Sequence, residues 1–101
     1  RLRRLGLQRS QLTGAGVEQL LPMLLGSHLH TLDLAGNALG VRGGMAVARF
    51  LRHGGCRLRA LGLARCQLTE EGKRPEGALA IAGALAENRS LWQLDLRRNA
   101  L

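Results

Sequence analysis

An eleven-residue leucine pattern occurs four times in this chain and limits its possible folds more than any other feature. Each copy reads L-x-x-L-x-L-x-x-N/C/S-x-L, and the copies start at residues 2, 29, 58 and 91. Successive starts are therefore 27, 29 and 33 residues apart. A repeat of this length predicts a solenoid, because one copy cannot bury its leucines alone and must stack on its neighbours.

Strand and helix periods alternate along the chain. The second and third leucines of each copy lie two residues apart, so they share one face of a short strand. Between copies, apolar or small residues recur every fourth position and predict one amphipathic helix per unit. These stripes are Gly16/Leu20/Leu24, Gly43/Val47/Leu51 and Gly77/Ile81/Leu85. Pro22 falls inside the first predicted helix, and we expect it to kink or shorten that helix.

The two periods divide the chain into repeat units. We expect strand–loop–helix units over 2–28, 29–57 and 58–90, and a terminal strand within 91–101. The third unit holds five extra residues within 69–77, where we expect a surface loop. Neither end shows the polar cap that a solenoid needs, so the chain is expected to be a segment of a longer array.

The four copies and the full helix in each unit resemble the ribonuclease-inhibitor type of leucine-rich repeat. The same type is found in NOD-like receptors and in some ciliary and cytoskeletal scaffold proteins. The resemblance covers nearly the whole chain. It implies an α/β horseshoe solenoid, with parallel strands on the concave face and α-helices on the convex face. It also implies a surface that binds another protein and no enzymatic activity, although a fold alone does not determine a function.

The ninth position of each copy has a structural interpretation. We expect the side chain there to turn inward and bond the otherwise unpaired backbone groups of the loop. Stacked copies then form a ladder along the solenoid. The ladder residues are Ser10, Asn37, Cys66 and Asn99.

Positive charge is concentrated in two rows that cross the predicted strands. The 101 residues include 15 Lys and Arg against 7 Asp and Glu, a formal charge of +8. The row at the eighth position is Arg9, Gly36, Arg65 and Arg98, and the row at the second position is Arg3, His30, Arg59 and Trp92. A basic surface favours an acidic partner. The predicted partner-binding residues are Arg9, Arg59, Arg65, Trp92, Arg97 and Arg98.

Several alternatives remain open for this basic surface. Arg42, Arg49 and Arg52 add bases to the outer side of the second helix. Trp92 is either a binding anchor or a residue that packs on a further repeat. The segment as a whole is either a protein-interaction module of a larger intracellular scaffold or sensor, or a purely architectural part of a ciliary or cytoskeletal assembly. Weak binding to nucleic acid or to an acidic membrane is a third alternative, although few aromatic side chains make nucleic acid unlikely.

Other chemistry has little support in the sequence. No phosphate-binding loop and no Ser-His-Asp arrangement is present, so we predict neither catalytic residues nor cofactors. One predicted edge holds His28, His30, His53 and Cys56, but no Cys-x-x-Cys pair accompanies them, and we predict no metal site.

Reduced, buried cysteines at 56 and 66 fit an intracellular and cytoplasmic location. No apolar run reaches the roughly 18 residues of a membrane span. The oligomeric state is left open.

Overall fold

Strands and helices alternate along the chain, as the leucine pattern predicts. A computed structural model describes residues 2–100, so Leu101, the last leucine of the fourth copy, lies outside the described residues. Within that range the strands are β1 (Arg4–Gly6), β2 (Thr31–Asp33), β3 (Ala60–Gly62) and β4 (Gln93–Asp95). The helices are α1 (Gly14–Leu24), α2 (Gly40–Arg52) and α3 (Glu76–Glu87).

The strands form one parallel sheet in the order β1-β2-β3-β4. The second leucine of each copy pairs with its counterpart, so Leu5, Leu32, Leu61 and Leu94 stand side by side across the sheet. Equivalent positions of successive copies are therefore neighbours, about 4.8 Å apart. This register turns every position of the leucine pattern into a row across the sheet.

The core lies between the sheet and the helices. Leu32, Leu34, Leu61 and Leu63 are buried there against residues of the three helices. Burial of such leucines is the main favourable contribution to folding, at about 25 cal/mol per Å² of apolar surface. All three residues of the predicted stripe in α2 are buried, and α2 packs against both other helices.

The predicted stripes are only partly right for the outer helices. In α1 the buried residues are Val17 and Leu21, whereas Leu20 and Leu24 are half-buried. In α3 Leu85 is 38% exposed, and Ala84 is buried instead. The reason is that α1 and α3 each contact a neighbouring helix, α2, on one flank only. Residues that would face a second neighbour are therefore less buried.

Small residues allow the helices to approach closely. A Cβ atom added to Gly44 of α2 would lie 3.0 Å from the Cα atom of Gly77 in α3. A side chain here would need the facing backbone to move by a few tenths of an ångström, so glycine favours this close spacing. The contact fixes how successive units stack.

Pro22 lies in the last turn of α1, which ends two residues later at Leu24. With 11 residues, α1 is the shortest helix in the described range. A proline removes one backbone donor and crowds the carbonyl group four residues earlier, and at this position the disturbance is confined to the last turn of the helix. The expected shortening is therefore small.

The insertion in the third unit forms the expected surface loop, and it is anchored at both sides. Residues 70–76 are exposed, whereas Thr69 is buried. The Thr69 hydroxyl donates to the Asn99 carbonyl oxygen at 2.8 Å. On the other side, Glu70 Oε2 accepts the Val41 backbone amide at 3.1 Å. The loop thus connects the first turn of α2 to the turn that follows β4.

Candidate binding surface

The face of the sheet that points away from the helices, here called the open face, carries short side chains. It is formed by Arg4, Gly6, Thr31, Asp33, Ala60, Gly62, Gln93 and Asp95. A Cβ atom on Gly62 would meet Asp33 Oδ1 at 2.6 Å, so the Asp33 carboxylate lies across the neighbouring glycine. The side chains at the centre of the open face are thus short. They include one acidic group, Asp33, that has no cationic partner among residues 2–100.

A basic depression adjoins the open face where the strands end. Its volume is about 570 Å³, and we call it the arginine basin. It is lined by the seventh and eighth positions of the four copies, which are Gln8, Arg9, Ala35, Gly36, Ala64, Arg65, Arg97 and Arg98. Four arginines from three copies therefore surround one depression.

The backbone holds the eighth-position row in a regular arrangement. Arg9, Arg65 and Arg98 adopt left-handed conformations with φ of 50°, 55° and 60°, and Gly36 has φ of 76°. The Arg9 and Arg65 amides donate to carbonyl oxygens of the next copy, both at 3.0 Å. Left-handed backbone is uncommon outside glycine and is held here by the stacked turns. The arginines thus start from fixed, equivalent points.

Charge compensation within the basin is uneven. Arg97 makes two hydrogen bonds to Asp95, at 3.0 and 2.9 Å. These bonds, together with one from the Arg97 backbone amide, lower the pKa of Asp95. Arg9, Arg65 and Arg98 have no carboxylate partner among residues 2–100. The basin therefore presents three uncompensated guanidinium groups.

The basic helix surface differs from the basin because its arginines are paired. Arg42 and Arg49 both reach Glu18, at 2.8 and 3.4 Å, and Arg52 reaches Glu87 at 2.9 Å. The hydrogen bond from Arg42 lowers the pKa of Glu18. The three arginines expected on the outer side of α2 are therefore present and exposed, but two acids of neighbouring helices compensate most of their charge.

The second-position row lies at the opposite end of the strands. Trp92 is 82% exposed and lines a shallow depression of about 340 Å³ with Arg59 and Ser90. Burial, followed by the nearby charges of Arg59 and Arg3, lowers the pKa of His30 in the same row. The six predicted partner-binding residues therefore fall into two groups, with Arg59 and Trp92 separate from the four arginines of the basin.

Asn37 links the first two turns through four hydrogen bonds. Its Oδ1 atom accepts the backbone amides of Ser10 and Leu12, both at 3.0 Å. Its Nδ2 group donates to the carbonyl oxygens of Leu7 and Leu34, at 2.8 and 2.9 Å. Three of these four groups belong to the preceding copy, and the Asn37 residue is only 1% exposed.

Asn99 repeats this arrangement between the last two copies. Its Oδ1 atom accepts the amides of Cys66 and Leu68, at 2.9 and 3.3 Å. Its Nδ2 group donates to the carbonyl oxygens of Leu63 and Leu96, at 2.7 and 3.0 Å. Both asparagines therefore tie their own turn to the preceding one.

The other two ladder positions differ. The buried Cys66 thiol donates to the Leu34 carbonyl oxygen at 3.1 Å, a bond that again points to the preceding copy. Ser10 is exposed, and its hydroxyl bonds the Gln8 carbonyl oxygen of its own turn at 3.3 Å. The Ser10 side chain thus bonds the backbone of its own loop but links no second copy among residues 2–100. No earlier copy within residues 2–100 lies beside Ser10, and the ladder bonds run backward along the chain.

Two further residues, Asn88 and Glu70, make structural contacts that the leucine pattern does not predict. Asn88 Nδ2 donates to the Leu51 carbonyl oxygen at 2.8 Å, which joins the ends of α3 and α2. Its Oδ1 atom accepts the amides of Ser90 and Leu91, at 3.0 and 2.7 Å. An asparagine directly after a helix, followed by two polar residues, is a signal for such a turn. Glu70, which accepts the first-turn amide of α2, gave no local signal because its partner lies 29 residues away.

Cysteine and histidine positions provide no assembled chemical site in the described part of the chain. Cys56 and Cys66 are free and buried, and burial raises the pKa of the Cys66 thiol. Among residues 2–100, no three His, Cys, Asp or Glu side chains are grouped as metal ligands. Within the same range, no helix is long and apolar enough to span a membrane.

Comparison with known proteins supports the repeat assignment. Residues 27–48 match a family model described as leucine rich repeat. The human NACHT, LRR and PYD domains-containing protein 12 is 37% identical over 102 residues, which cover 100% of this chain and 9% of that protein. The human protein 3 of the same naming series is 38% identical over 97 residues, or 95% of this chain and 9% of the relative. The mouse protein 14 is 38% identical over 101 residues, or 99% of this chain and 10% of the relative. The chain thus spans about a tenth of the length of these relatives.

Proposed function

The chain belongs to the leucine-rich-repeat family, and on that premise we propose that it is a protein-interaction module that binds its partner on the open face and the arginine basin. The partner surface is acidic. The module is part of a larger intracellular scaffold or sensor, as the similarity to proteins named for NACHT and PYD domains suggests. In the complete array the sheet curves into a horseshoe, with the open face on its concave side. The role needs no catalytic group, metal or cofactor.

One observation carries this proposal: three arginines without an acidic partner are grouped in one depression at the ends of the strands, whereas the arginines of α2 are paired. Arg9, Arg65 and Arg98 have no acidic partner among residues 2–100, whereas Arg42 and Arg52 are paired with acids of neighbouring helices. A charge that lacks an internal partner is available to a ligand and attracts one of opposite sign. The exposed Trp92 beside Arg59 offers an aromatic contact of the kind common at interface centres.

An architectural role is the second candidate, and exposed apolar side chains on α3 favour it. Leu79 is 66% exposed and Leu85 is 38% exposed, on the helix that contacts α2 alone. Apolar residues on an unpaired helix flank are expected to be covered by another structural element. In that case the segment is held in an assembly through α3, and the arginine basin takes no part in binding.

Site-specific photo-cross-linking in cells separates these two roles. A benzophenone amino acid is placed at Gln8 or Gln93 on the open side, and at Met23 or Leu79 on the helices. We expect covalent protein adducts from Gln8 and Gln93, and their loss when Arg65 and Arg98 are both replaced by Glu. Adducts from Leu79 alone, unaffected by the charge reversal, would refute binding on the open face and support the architectural role.

A further inference from the structure

We propose that the arginine basin binds an extended acidic peptide segment that crosses the strand ends at right angles, with acidic side chains at alternate positions. This inference rests on the proposed function and specifies the chemistry and the direction of the partner's contact. It commits to a linear peptide, so a nucleic acid strand and an acidic membrane are competing outcomes of the test.

The unpaired arginines of the basin favour a ligand with several anionic groups. Asp95 already occupies Arg97 through two hydrogen bonds, which leaves Arg9, Arg65 and Arg98 to bind external anions. Each guanidinium matches a carboxylate with two parallel hydrogen bonds. A depression of about 570 Å³ is large enough for a short segment rather than one ion.

Spacing favours alternate acids on an extended chain. Adjacent positions of the row are about 4.8 Å apart, so three arginines in copies one, three and four span up to about 14 Å. The Arg9 side chain lies over Gly36, because a Cβ atom there would meet Arg9 Cγ at 2.8 Å, and this shortens the span. Acidic residues at positions i, i+2 and i+4 of an extended peptide share one side and span about 13 Å. The two spans therefore agree to within the reach of an arginine side chain, which also takes up the unequal gaps of about 10 and 5 Å between the three arginines.

The floor of the basin allows the peptide backbone to come close. Gly36, Ala35 and Ala64 line it between the arginines, and none of them has a long side chain. Asp33 marks the limit of the basin on the open face. Its carboxylate accepts the Ala35 amide at 3.0 Å and has no cationic partner among residues 2–100. This charge repels acidic side chains from the open face and confines them to the arginine row.

The inference is tested by NMR titration of the ¹⁵N-labelled 101-residue chain at low ionic strength, about 50 mM. The probe is a seven-residue peptide in which Ser and Glu alternate, with three Glu. We expect shifts of the amides of Arg9, Gly36, Arg65 and Arg98. Shifts confined to the helices would overturn the inference, as would equal binding of the peptide with Gln in place of Glu.

Matched charge reversals locate the binding. The variant Arg65→Glu/Arg98→Glu should weaken binding at least about tenfold, since each reversal replaces an attraction by a repulsion. The control Arg57→Glu/Arg89→Glu makes the same change in net charge outside the basin, and should weaken binding less than about threefold. Equal weakening by both variants would reduce the effect to net charge and overturn the assignment. Far-ultraviolet circular dichroism confirms that each variant is folded.

Two further arms test the geometry and the type of ligand. A peptide of the same composition with its three Glu in one block should bind about twofold to threefold more weakly, because only two acids then face the row. Asp33→Asn keeps the acceptor for Ala35 and should strengthen peptide binding about twofold. Equal affinity of both peptides would refute the alternate register. Tighter binding of a single-stranded oligonucleotide or phosphatidylserine vesicles would refute the peptide assignment, whereas cross-links from Gln8 would still support the proposed function.

Discussion

Asn37 should be a sensitive polar position in the described fold. Its side chain holds four backbone groups, and three of these belong to the preceding turn. Replacement by Leu keeps the approximate size and adds apolar character. The substitution removes both the acceptor and the donor, so all four groups lose their bond to residue 37, and the Leu34 carbonyl oxygen keeps the Cys66 thiol as a donor.

The expected loss follows from the surroundings of each bond. The bond to the Leu34 carbonyl oxygen is enclosed, but the Cys66 thiol still donates to that oxygen, so the loss of this bond is worth about 0.5–1.5 kcal/mol. The three other bonds involve partly exposed groups, each worth about 0.5–1.5 kcal/mol. The four bonds together are worth about 2–6 kcal/mol, and a buried Leu returns about 1.5 kcal/mol, so we expect the free energy of unfolding to fall by about 2.5 kcal/mol. That is a large share of the roughly 5–15 kcal/mol that stabilises a typical domain.

Ser10 provides a matched control, since it occupies the same position of the leucine pattern. Ser10 is exposed and bonds only its own turn, so Ser10→Leu should change the stability by less than about 0.5 kcal/mol. Urea unfolding followed by circular dichroism measures both variants. We expect Asn37→Leu to lower the midpoint by about 1 M or more, since slopes are about 1–3 kcal/mol per M. An Asn37→Leu chain with the wild-type midpoint, or a Ser10→Leu chain that loses as much, would contradict backward-running ladder bonds.

Three other perturbations separate packing, capping and burial. Leu63→Ala should lower the free energy of unfolding by about 2–5 kcal/mol, because Leu63 is fully buried. The control Leu79→Ala, at a 66% exposed position, should lower it by less than about 0.5 kcal/mol. Equal urea midpoints of the two variants would contradict the assignment of Leu63 to the core. Glu70→Ala removes the acceptor for the first-turn amide of α2 and should cost about 0.5–1.5 kcal/mol, and an unchanged thermal midpoint would argue against that cap. Burial raises the pKa of the Cys66 thiol, so alkylation near pH 8, followed by mass spectrometry, should be far slower in the native chain than in urea. Equal rates would show that the Cys66 thiol is accessible.

Local sequence was sufficient to predict the elements themselves. Two leucines two residues apart predict a strand, and the structure places the strand at each second leucine, as at Leu5 and Leu32. The parallel order and register follow from repetition, because identical units stack with identical positions adjacent. Helix burial was predicted less well, since the exposure of Leu20 and Leu85 depends on how many neighbours each helix has.

The direction of the ladder bonds could not be predicted from the leucine pattern. A polar residue at the ninth position predicts bonds to loop backbone, and Asn37 and Asn99 make them. The pattern does not say whether the bonds reach the preceding or the following copy. That direction depends on how the units stack. Because the bonds reach the preceding copy, Ser10 of the first copy has no such copy beside it among residues 2–100 and is exposed.

The distribution of free charge could not be read from the net charge of +8. Arg97 follows two residues after Asp95, the last residue of β4, so their pairing was within reach of the strand period. The pairing of Arg42 with Glu18 was not, because these residues lie 24 positions apart on different helices. Helix-to-helix packing brings opposite charges together on the outer surface. The eighth-position row has no such neighbour, because stacking places like positions side by side and so collects like charges. The same register that builds the core therefore also produces the uncompensated arginine row on which the proposed binding depends.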